Sequence, residues 1–526
     1  MSGDFNPLDL IEEMQAPKRK TLDEDQISER LDYYSNRDGG FEVTDEYGDA
    51  FRSIFRDVRN VFLTGGAGVG KTSFVQSILI PELDHRGLRY AVCATTGIAG
   101  SHIGGRTIHS WAGVRTGPQW REDEPCPQDM HPRKRLDRYA DFFDELAGKA
   151  PEPVWNGLKK RIKSTEVVIL DEVSMCGGAS LLGYIDYHLR RIREDFEKPF
   201  GGIQMIFVGD FAQLPPVERR QSVHHPDWAF LSRSWSGAEV KTHEFTKVFR
   251  QKDRDFSDFL NKIRLGEPAD RDYLAQFVKP VKPEESGKYS YLVPTNEMAD
   301  AINAKALERY SKPDIILEGK FEIHQSQLRR YDTLPKVREQ LLRGRPVKQT
   351  LFLRPGMPVL ITRNAPDGTY VNGSRAFVEK LIRGGTHPLH EEDTLVLRVP
   401  EEMRIDGGKG DLVLNMTRFA HMRSAHEDYD EKMFDQESGA TICRHPALLQ
   451  FPVIPGAAIT IHKSQGMSLD SAVVHLGKAF AAGHVYVGLS RLRSPEGLRL
   501  TTTEFEVKVD PWAKAFYQDI RNESGQ

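Results

Sequence analysis

Short runs of apolar residues alternate with helix-like segments along much of the chain. Four such runs lie in the first half of the chain: Val61–Thr64, Tyr90–Ala94, Glu166–Leu170 and Gln204–Val208. Strands that are this apolar and separated by helices are typical of a parallel sheet that is covered on both faces. A later series repeats the pattern: Ala458–Ile461, Ala472–Leu476 and Leu498–Thr502. The sequence therefore predicts an α/β fold with two parallel-sheet cores.

Two stretches interrupt this pattern. Residues 115–155 are rich in proline around a basic run, which favours an insertion in the first core. Residues 351–452 contain short β segments split by glycine-rich turns, which favours a small inserted β-barrel. The expected domains are an acidic N-terminal arm over 1–45, a first core over 46–245, a second core over 246–350 and 453–526, and the barrel over 351–452.

Charge modifies this picture only slightly. The chain of 526 residues has 72 basic and 76 acidic side chains, a net charge of −4. Residues 1–50 hold 14 acidic and 5 basic side chains and so carry −9, which leaves +5 on the remainder. A mildly basic body with an acidic arm is compatible with a ligand that has a phosphate backbone.

Composition excludes several classes of protein. No apolar run approaches the roughly 20 residues that span a bilayer, and the N-terminus carries acids where a signal peptide would carry bases. The four cysteines form no CxxC pair, which argues against a zinc ribbon or a disulfide scaffold. They are Cys93, Cys126, Cys176 and Cys443. We expect an intracellular protein with no membrane partner.

The sharpest chemical signal is a glycine-rich loop that fits the pattern G-x-x-x-x-G-K-[ST]. It follows the first strand and opens a predicted helix, Lys71–Ile80, which Pro81 would end. Glycines allow backbone N–H groups to wrap a polyphosphate, and the helix N-terminus adds its dipole. Lys71 can reach the β- and γ-phosphates of ATP, and Thr72 can hold Mg²⁺ through its hydroxyl. The predicted nucleotide-binding residues of this loop are Gly65, Gly66, Ala67, Gly68, Val69, Gly70, Lys71 and Thr72.

A pair of carboxylates ends another predicted strand. Asp171 and Glu172 follow the apolar run Glu166–Leu170, about 100 residues after Lys71. In this place Asp171 can hold the Mg²⁺ shell, and Glu172 can orient a water molecule or take its proton. These two elements indicate an NTP hydrolase or a kinase, but they do not say what the hydrolysis drives.

Further motifs address that question. They are Ala94–Gly100, Gly104–Trp111, Pro199–Pro216, Thr246–Gln251, Ala458–Asp470 and Val485–Arg491. With these motifs the chain resembles superfamily 1B DNA helicases, in family order from about Asn60 to about Leu500. The stretch Asp186–Gly202 is similar to a segment peculiar to PIF-type (petite integration frequency) helicases. RecD-like and Dda-like helicases share the other motifs.

The resemblance implies a P-loop NTPase in which two RecA-like cores flank one ATP, with a 1B insertion and an SH3-like 2B barrel. Gln213 would sense the γ-phosphate, and Arg250 and Arg491 would stabilise charge on the transferring phosphoryl group. Gln465 and Gly466 would also bind the nucleotide. The residues implied to contact nucleic-acid phosphates without reading bases are Thr95, Thr96, His109, His462 and Lys463.

One departure from the family concerns the adenine. The family usually has a glutamine about a dozen residues before the strand of the phosphate loop. Tyr47-Gly48-Asp49 stands in that place, and Gln26 lies too early unless an insertion intervenes. Base selectivity therefore stays open, with ATP as the default nucleotide.

The resemblance implies an ATP-dependent, Mg²⁺-dependent helicase that moves 5′→3′ on single-stranded DNA and unwinds duplex or forked DNA in replication, recombination or repair. Single-strand-binding or replication proteins are further candidate partners. An RNA helicase and a RecD-like motor subunit of a nuclease complex remain alternatives. A phosphotransferase would not need the second core. A catalytically silent clamp would be expected to lose Lys71, Asp171, Glu172 or Arg491, and all four are present.

Overall fold

A computed structural model gives the fold of most of the chain. The residues that it describes are 21–36, 42–95, 105–114, 126–149, 152–216, 224–249, 253–281, 289–312, 314–328, 333–342, 347–363, 370, 374–384, 393–399, 411–415, 417–420, 432–434, 441–443 and 446–524. Thr96 and Arg250, two of the predicted site residues, lie outside this set.

The first core is built on a parallel sheet. Within the described residues its strands, in spatial order, are Arg106–Thr107, Tyr90–Ala94, Val167–Asp171, Gln204–Val208, Val61–Gly65 and Lys241–Phe245. All four apolar runs predicted in the first half of the chain are strands of this sheet. The edge strand Lys241–Phe245 was not predicted, because its sequence KTHEF is mostly polar.

Alternate residues of each central strand pack into hydrophobic clusters on opposite faces of this sheet. Val61 and Leu63 join a cluster with helix Asp45–Phe55, whereas Phe62 joins a cluster with helix Gly183–Arg193. Successive side chains of a strand point to opposite faces, so both faces of the sheet are buried. This burial explains the continuous apolar runs in the sequence.

The helix after the phosphate loop differs from the prediction. It begins at Lys71, passes through a π-helical turn at Val75–Leu79, and continues as Ile80–His85. Pro81 therefore lies in the first turn of the last segment and does not end the helix at Ile80. Proline lacks the N–H of a regular helical hydrogen bond, and here it follows a π-helical turn, where the regular i→i−4 hydrogen-bond ladder is already interrupted.

The second core contains another parallel sheet. In the described part of the chain its strands are ordered Ala458–Thr460, Ser290–Val293, Ala472–Val474 and Leu498–Leu500. The three later strands were predicted, and Ser290–Val293 completes the sheet. The α/β fold with two parallel-sheet cores is confirmed.

Antiparallel strands lie between the two halves of the second core. One sheet of the described residues has the order Asp411–Asn415, Thr394–Arg398, Arg375–Ile382, Pro358–Ile361 and Val453–Pro455. Thr417–Ala420, Ala447–Gln450 and Lys320–Glu322 form a second sheet, and two further pairs join Thr350–Leu353 with Ile315–Glu318 and Lys432–Phe434 with Thr441–Cys443. Ile315–Glu318 and Lys320–Glu322 lie within 246–350, so the boundary of the barrel stays a prediction.

Both ends of the described chain pack against the first core. Helix Glu24–Asn36 buries Ile27 and Tyr34, and the Arg30 guanidinium pairs with the fully buried Glu82 carboxylate at 2.8 Å. The part of the acidic arm that forms this helix therefore packs against the first core. At the other end, Phe516 of helix Pro511–Ser524 stacks on Phe230 with ring centroids 4.5 Å apart.

The remaining helices connect and cover these sheets. Two of them, Pro132–Lys149 and Glu152–Ser164, occupy most of the described part of the predicted insertion. The others are Ile108–Ala112, Arg233–Gly237, Arg254–Arg264, Arg271–Ala275, Asn296–Glu308, Leu334–Leu342 and His484–Ser490.

Candidate nucleotide and nucleic-acid site

The phosphate loop joins strand Val61–Gly65 to the helix that begins at Lys71. Gly65, Gly68 and Gly70 have φ values of 133°, 81° and 82°, a region that favours glycine. A Cβ on Gly65 would clash with the backbone oxygen of Phe245. The loop can therefore adopt this backbone conformation only because glycine stands at these positions.

Lys71 lies inside the curve of this loop. Its Nζ donates to the backbone oxygens of Gly65 at 2.7 Å and Gly66 at 2.9 Å. Burial lowers the pKa of the ammonium to about 8, while the carboxylate of Asp210 acts to raise it. The amine is thus a desolvated positive charge, which attracts phosphate oxygens more strongly than an exposed lysine would.

Asp171 and Glu172 stand at the carboxyl end of strand Val167–Asp171, which is separated from strand Val61–Gly65 by Gln204–Val208. Glu172 adopts the left-handed conformation with φ 52°, and its backbone N–H donates to Asp171 Oδ1 at 2.8 Å. Burial, followed by the Glu172 charge, raises the pKa of Asp171 to about 7. A non-glycine residue with this backbone is strained, which is common at catalytic positions.

The donors available here fit Mg²⁺. The Asp171 carboxylate and the Thr72 hydroxyl are hard oxygen ligands, and Mg²⁺ in nucleotide sites is held by one or two protein ligands together with phosphates and water. Among the described residues no cluster of three or more His, Cys, Asp or Glu forms a separate metal site. A cation beside Asp171 would also favour its ionised form, which burial and Glu172 disfavour.

A glutamine from the second core reaches the carboxylate of Glu172. Gln465 Nε2 donates to Glu172 Oε2 at 3.0 Å and lies 3.4 Å from Gln213 Oε1. Gln213 and Gln465 are both buried. The structure therefore brings together three of the predicted residues, from both cores, around one carboxylate.

Arg491 lies in the same interior. Its guanidinium donates to the backbone oxygen of Val487 at 3.0 Å and to Ser490 Oγ at 2.9 Å. Burial lowers its pKa, and the negative charges of Glu172 and Asp210 oppose that shift. Arg491 thus supplies a desolvated positive charge to the surroundings of Glu172.

Two residues that were predicted to contact nucleic-acid phosphates, Thr95 and His109, have surroundings that an exposed phosphate-binding residue would not have. Thr95 Oγ1 donates to the backbone oxygen of Glu172 at 3.1 Å, so Thr95 touches the predicted catalytic residue directly. His109 lies in helix Ile108–Ala112, and burial lowers its pKa to about 4. At neutral pH His109 is therefore an uncharged donor or acceptor and provides no positive charge.

His462 and Lys463 share a short helical turn with Ser464, directly before Gln465. His462 Nδ1 lies 3.2 Å from Nε2 of the buried His484, and burial lowers the pKa of His462. Lys463 is exposed. The turn therefore presents one exposed ammonium outward while Gln465 at its end points inward to Glu172. Gly466 follows with φ 78°, which allows the chain to reverse there.

Comparison with known proteins agrees with these motifs. The sequence model of PIF1-like helicases matches residues 43–140 and 155–273. The chain is 28% identical over 470 residues to the ATP-dependent DNA helicase Pif1 of Bdellovibrio bacteriovorus, covering 89% of this chain and 90% of that protein. It is 30% identical over 472 residues to the ATP-dependent DNA helicase PIF1 of Xenopus laevis, covering 88% of this chain and 62% of the frog protein.

The crystal structure of the Pif1 helicase from Candida albicans matches this fold with a TM-score of 0.69 and 25% sequence identity, covering 91% of this chain and 100% of that one. This chain is therefore similar to PIF1-like helicases in both its sequence and its fold. The described part of this PIF1-like chain includes no helix that is both long and apolar enough to cross a membrane.

Three further residues contact this site or lie beside it, and the sequence motifs alone give none of them a role. Tyr486 Oη accepts from the backbone N–H of Ala67 at 2.8 Å, so a residue of the second core touches the phosphate loop. Arg264 pairs with the buried Asp210 at 3.0 Å. Tyr486 and Asp210 lie inside motifs quoted above, and that position was the available signal. Arg264 lies outside those motifs.

Tyr47 occupies the place where the adenine-reading glutamine was expected. Its hydroxyl donates to the backbone oxygen of Val69 at 2.8 Å, and its ring stacks on Phe249 at 6.1 Å between centroids. The backbone N–H of Phe249 in turn donates to Gly68 O at 2.9 Å. Tyr47 therefore supports the backbone of the phosphate loop in this PIF1-like chain.

Proposed function

We propose that this chain is an ATP-dependent DNA helicase that translocates 5′→3′ on single-stranded DNA and unwinds duplex or forked DNA during replication, recombination or repair. The observation that carries the proposal is the turn His462–Ser464. One side of it bears the exposed Lys463, and its next residue, Gln465, binds Glu172 across the cleft. A shift of this turn on DNA binding is therefore felt at the catalytic carboxylate.

The chemistry divides among the residues as follows. Lys71 and the N–H groups of the phosphate loop hold the phosphates. Glu172 orients the attacking water and takes its proton, and Arg491 stabilises charge on the transferring group. Mg²⁺ bound by Thr72 and Asp171 would neutralise charge on the phosphates. Arg250 is proposed for the same task as Arg491, on the strength of its motif.

The coupling follows from which core holds the strand. Thr95 belongs to the first core and touches Glu172, whereas Lys463 belongs to the second core. Closure of the cleft around ATP brings these two contacts together, and hydrolysis lets them separate. The order in which the two cores release the backbone sets the direction of movement.

A strand-displacement assay tests the proposal. Duplexes with a 5′ single-stranded tail, a 3′ tail or blunt ends, each made from DNA or RNA, are incubated with the full chain, ATP and Mg²⁺. We expect unwinding of the 5′-tailed DNA and little of the others. Unwinding from a 3′ tail alone would overturn the polarity, and preference for RNA would favour an RNA helicase. ATP hydrolysis without unwinding of any substrate would favour a motor subunit that needs a partner.

A further inference from the structure

The C-terminal helix Pro511–Ser524 packs against the first core, although the sequence assigns it to the second. Its start is fixed by Trp228, whose Nε1 donates to Asp510 Oδ1 at 2.9 Å. Phe516 continues the contact by packing edge-on against Phe211, with ring centroids 5.3 Å apart. These contacts carry Tyr517, the next residue of the helix, into the interior of the first core.

The hydroxyl of Tyr517 is buried among partners from two different segments. It donates to Asp210 Oδ1 at 2.9 Å and accepts from the backbone N–H of Phe211 at 2.9 Å. Thr64 Oγ1 lies 2.8 Å away. Since the Tyr517 proton is directed at the Asp210 carboxylate, Thr64 is the donor of the last hydrogen bond.

Asp210 is in turn part of a buried charge network. Arg264 Nε lies 3.0 Å from Asp210 Oδ2, and Arg264 Nη1 lies 2.7 Å from Glu244 Oε1. The guanidinium also lies over the Tyr517 ring, 4.4 Å from its centroid. The tyrosine thus touches both members of the ion pair, through its hydroxyl and through its ring.

The two partners of this hydroxyl lead directly to catalytic residues. Thr64 is the residue before Gly65, the first of the phosphate loop. Asp210 begins the turn that carries Gln213, whose backbone N–H donates to Asp210 O at 3.0 Å. One hydroxyl therefore joins the strand that feeds the phosphate loop to the turn that presents Gln213.

We propose that Tyr517 is a positioning residue for ATP hydrolysis and acts through Asp210 on Gln213 and the phosphate loop. The inference deepens the proposed ATPase function and rests on it. Because catalytic groups must be held closely to their working geometry, loss of this hydrogen-bond junction should slow turnover more than it weakens nucleotide binding. The C-terminal helix is then a part of the ATP site contributed from the far end of the chain.

The test compares two buried tyrosines. Tyr517→Phe removes the hydroxyl at the junction but keeps the ring. Tyr139→Phe is the control, because it removes another buried hydroxyl of the first core, which donates to the backbone oxygen of Ala179. Steady-state ATP hydrolysis with saturating single-stranded DNA is measured for both full-length variants, together with thermal unfolding. For Tyr517→Phe we expect kcat to fall about tenfold and KM for ATP to change less than about threefold. Tyr139→Phe should leave both constants close to wild type.

A double-mutant cycle separates positioning from general destabilisation. If Tyr517 acts through Asp210, Tyr517→Phe combined with Asp210→Asn should be no slower than Asp210→Asn alone. Should Asp210→Asn fail to fold, Thr64→Val, which removes the other hydroxyl at the junction, takes its place in the cycle. Additive losses would overturn the proposal.

The outcomes distinguish this inference from the proposed function. Normal kcat in Tyr517→Phe, beside active wild type, would overturn the positioning role alone. Equal loss of kcat in both tyrosine variants, in step with their unfolding temperatures, would also overturn it. Absence of DNA-stimulated hydrolysis by the wild-type chain would instead overturn the proposed function and, with it, the inference.

Discussion

Gln465 Nε2 donates a hydrogen bond of 3.0 Å to Glu172 Oε2, although 293 positions separate the two residues in the chain. Each residue lies next to a segment that we assign to DNA binding: Gln465 follows Lys463, and the backbone of Glu172 accepts from Thr95. Glu172 is therefore in contact with residues of both cores, through its backbone oxygen and through its carboxylate. This hydrogen bond links the residue after the turn His462–Ser464, to which we assign DNA binding, with the carboxylate to which we assign hydrolysis.

Removal of the Gln465 amide should uncouple hydrolysis from DNA. In Gln465→Ala we expect DNA-stimulated kcat to fall about tenfold, a loss of ~1.4 kcal/mol in transition-state stabilisation, while basal hydrolysis changes less. Steady-state ATPase assays with and without single-stranded DNA measure both rates. Gln276→Ala, at an exposed helix end, is the matched control. Unchanged stimulation by DNA would contradict the role of Gln465.

Lys71→Ala should abolish hydrolysis without unfolding the chain. The Lys71 ammonium is a desolvated charge held by two backbone oxygens of the phosphate loop. The substitution removes the positive charge that we assign to the phosphates of ATP. We expect kcat/KM to fall by at least about 100-fold. Lys160→Ala, on the exposed face of helix Glu152–Ser164, should retain wild-type activity. Turnover in Lys71→Ala near the wild-type value would place the site elsewhere.

Glu172→Gln should separate binding from chemistry. The amide keeps the shape of the side chain but cannot take a proton from water, so we expect hydrolysis to slow by about 100-fold or more while Mg·ATP still binds. Titration with a fluorescent ATP analogue and single-turnover hydrolysis measure the two steps. Loss of nucleotide affinity in this variant would show that Glu172 serves in binding.

Lys463→Ala should weaken binding of single-stranded DNA and its dependence on salt. The exposed ammonium is assigned to one backbone phosphate, so its removal should reduce the slope of log K against log salt by about 0.7. Fluorescence anisotropy of a labelled oligonucleotide over a salt series measures this slope. Lys241→Ala, on the edge strand of the first core, is the control. The contact would be refuted by an identical slope in wild type and Lys463→Ala.

The N-terminal helix should stabilise the first core through Arg30. Glu82 is fully buried and accepts from the Arg30 guanidinium at 2.8 Å and from the Tyr34 hydroxyl at 2.9 Å, so Arg30→Ala removes its paired cation and leaves the tyrosine hydrogen bond. We expect the free energy of unfolding to fall by about 3 kcal/mol. Arg52→Ala breaks a surface pair with Glu24 and should cost less than about 1 kcal/mol. Denaturant unfolding compares the two, and equal losses would show that the burial of Glu82 has no effect.

Some elements could not be predicted from their own residues. The edge strand Lys241–Phe245 is mostly polar and is recognised only by its pairing with Val61–Gly65. The helix after the phosphate loop continues past Pro81 because a π turn precedes it, and no local pattern announces that turn. Helix Glu24–Asn36 lies in a segment whose composition predicts only an acidic arm, yet its side chains Ile27 and Tyr34 are buried against the first core.

The two parallel-sheet cores, the glycine-rich loop with Lys71 and Thr72, and the carboxylate pair Asp171 and Glu172 can all be predicted from the order of residues. These features depend on the order of neighbouring residues, because strand periodicity and phosphate-loop geometry are local. The contacts of Gln465 with Glu172 and of Tyr517 with Asp210 are visible only in the folded chain. Such contacts join residues hundreds of positions apart, and they form because packing of the cores and the C-terminal helix desolvates those side chains together.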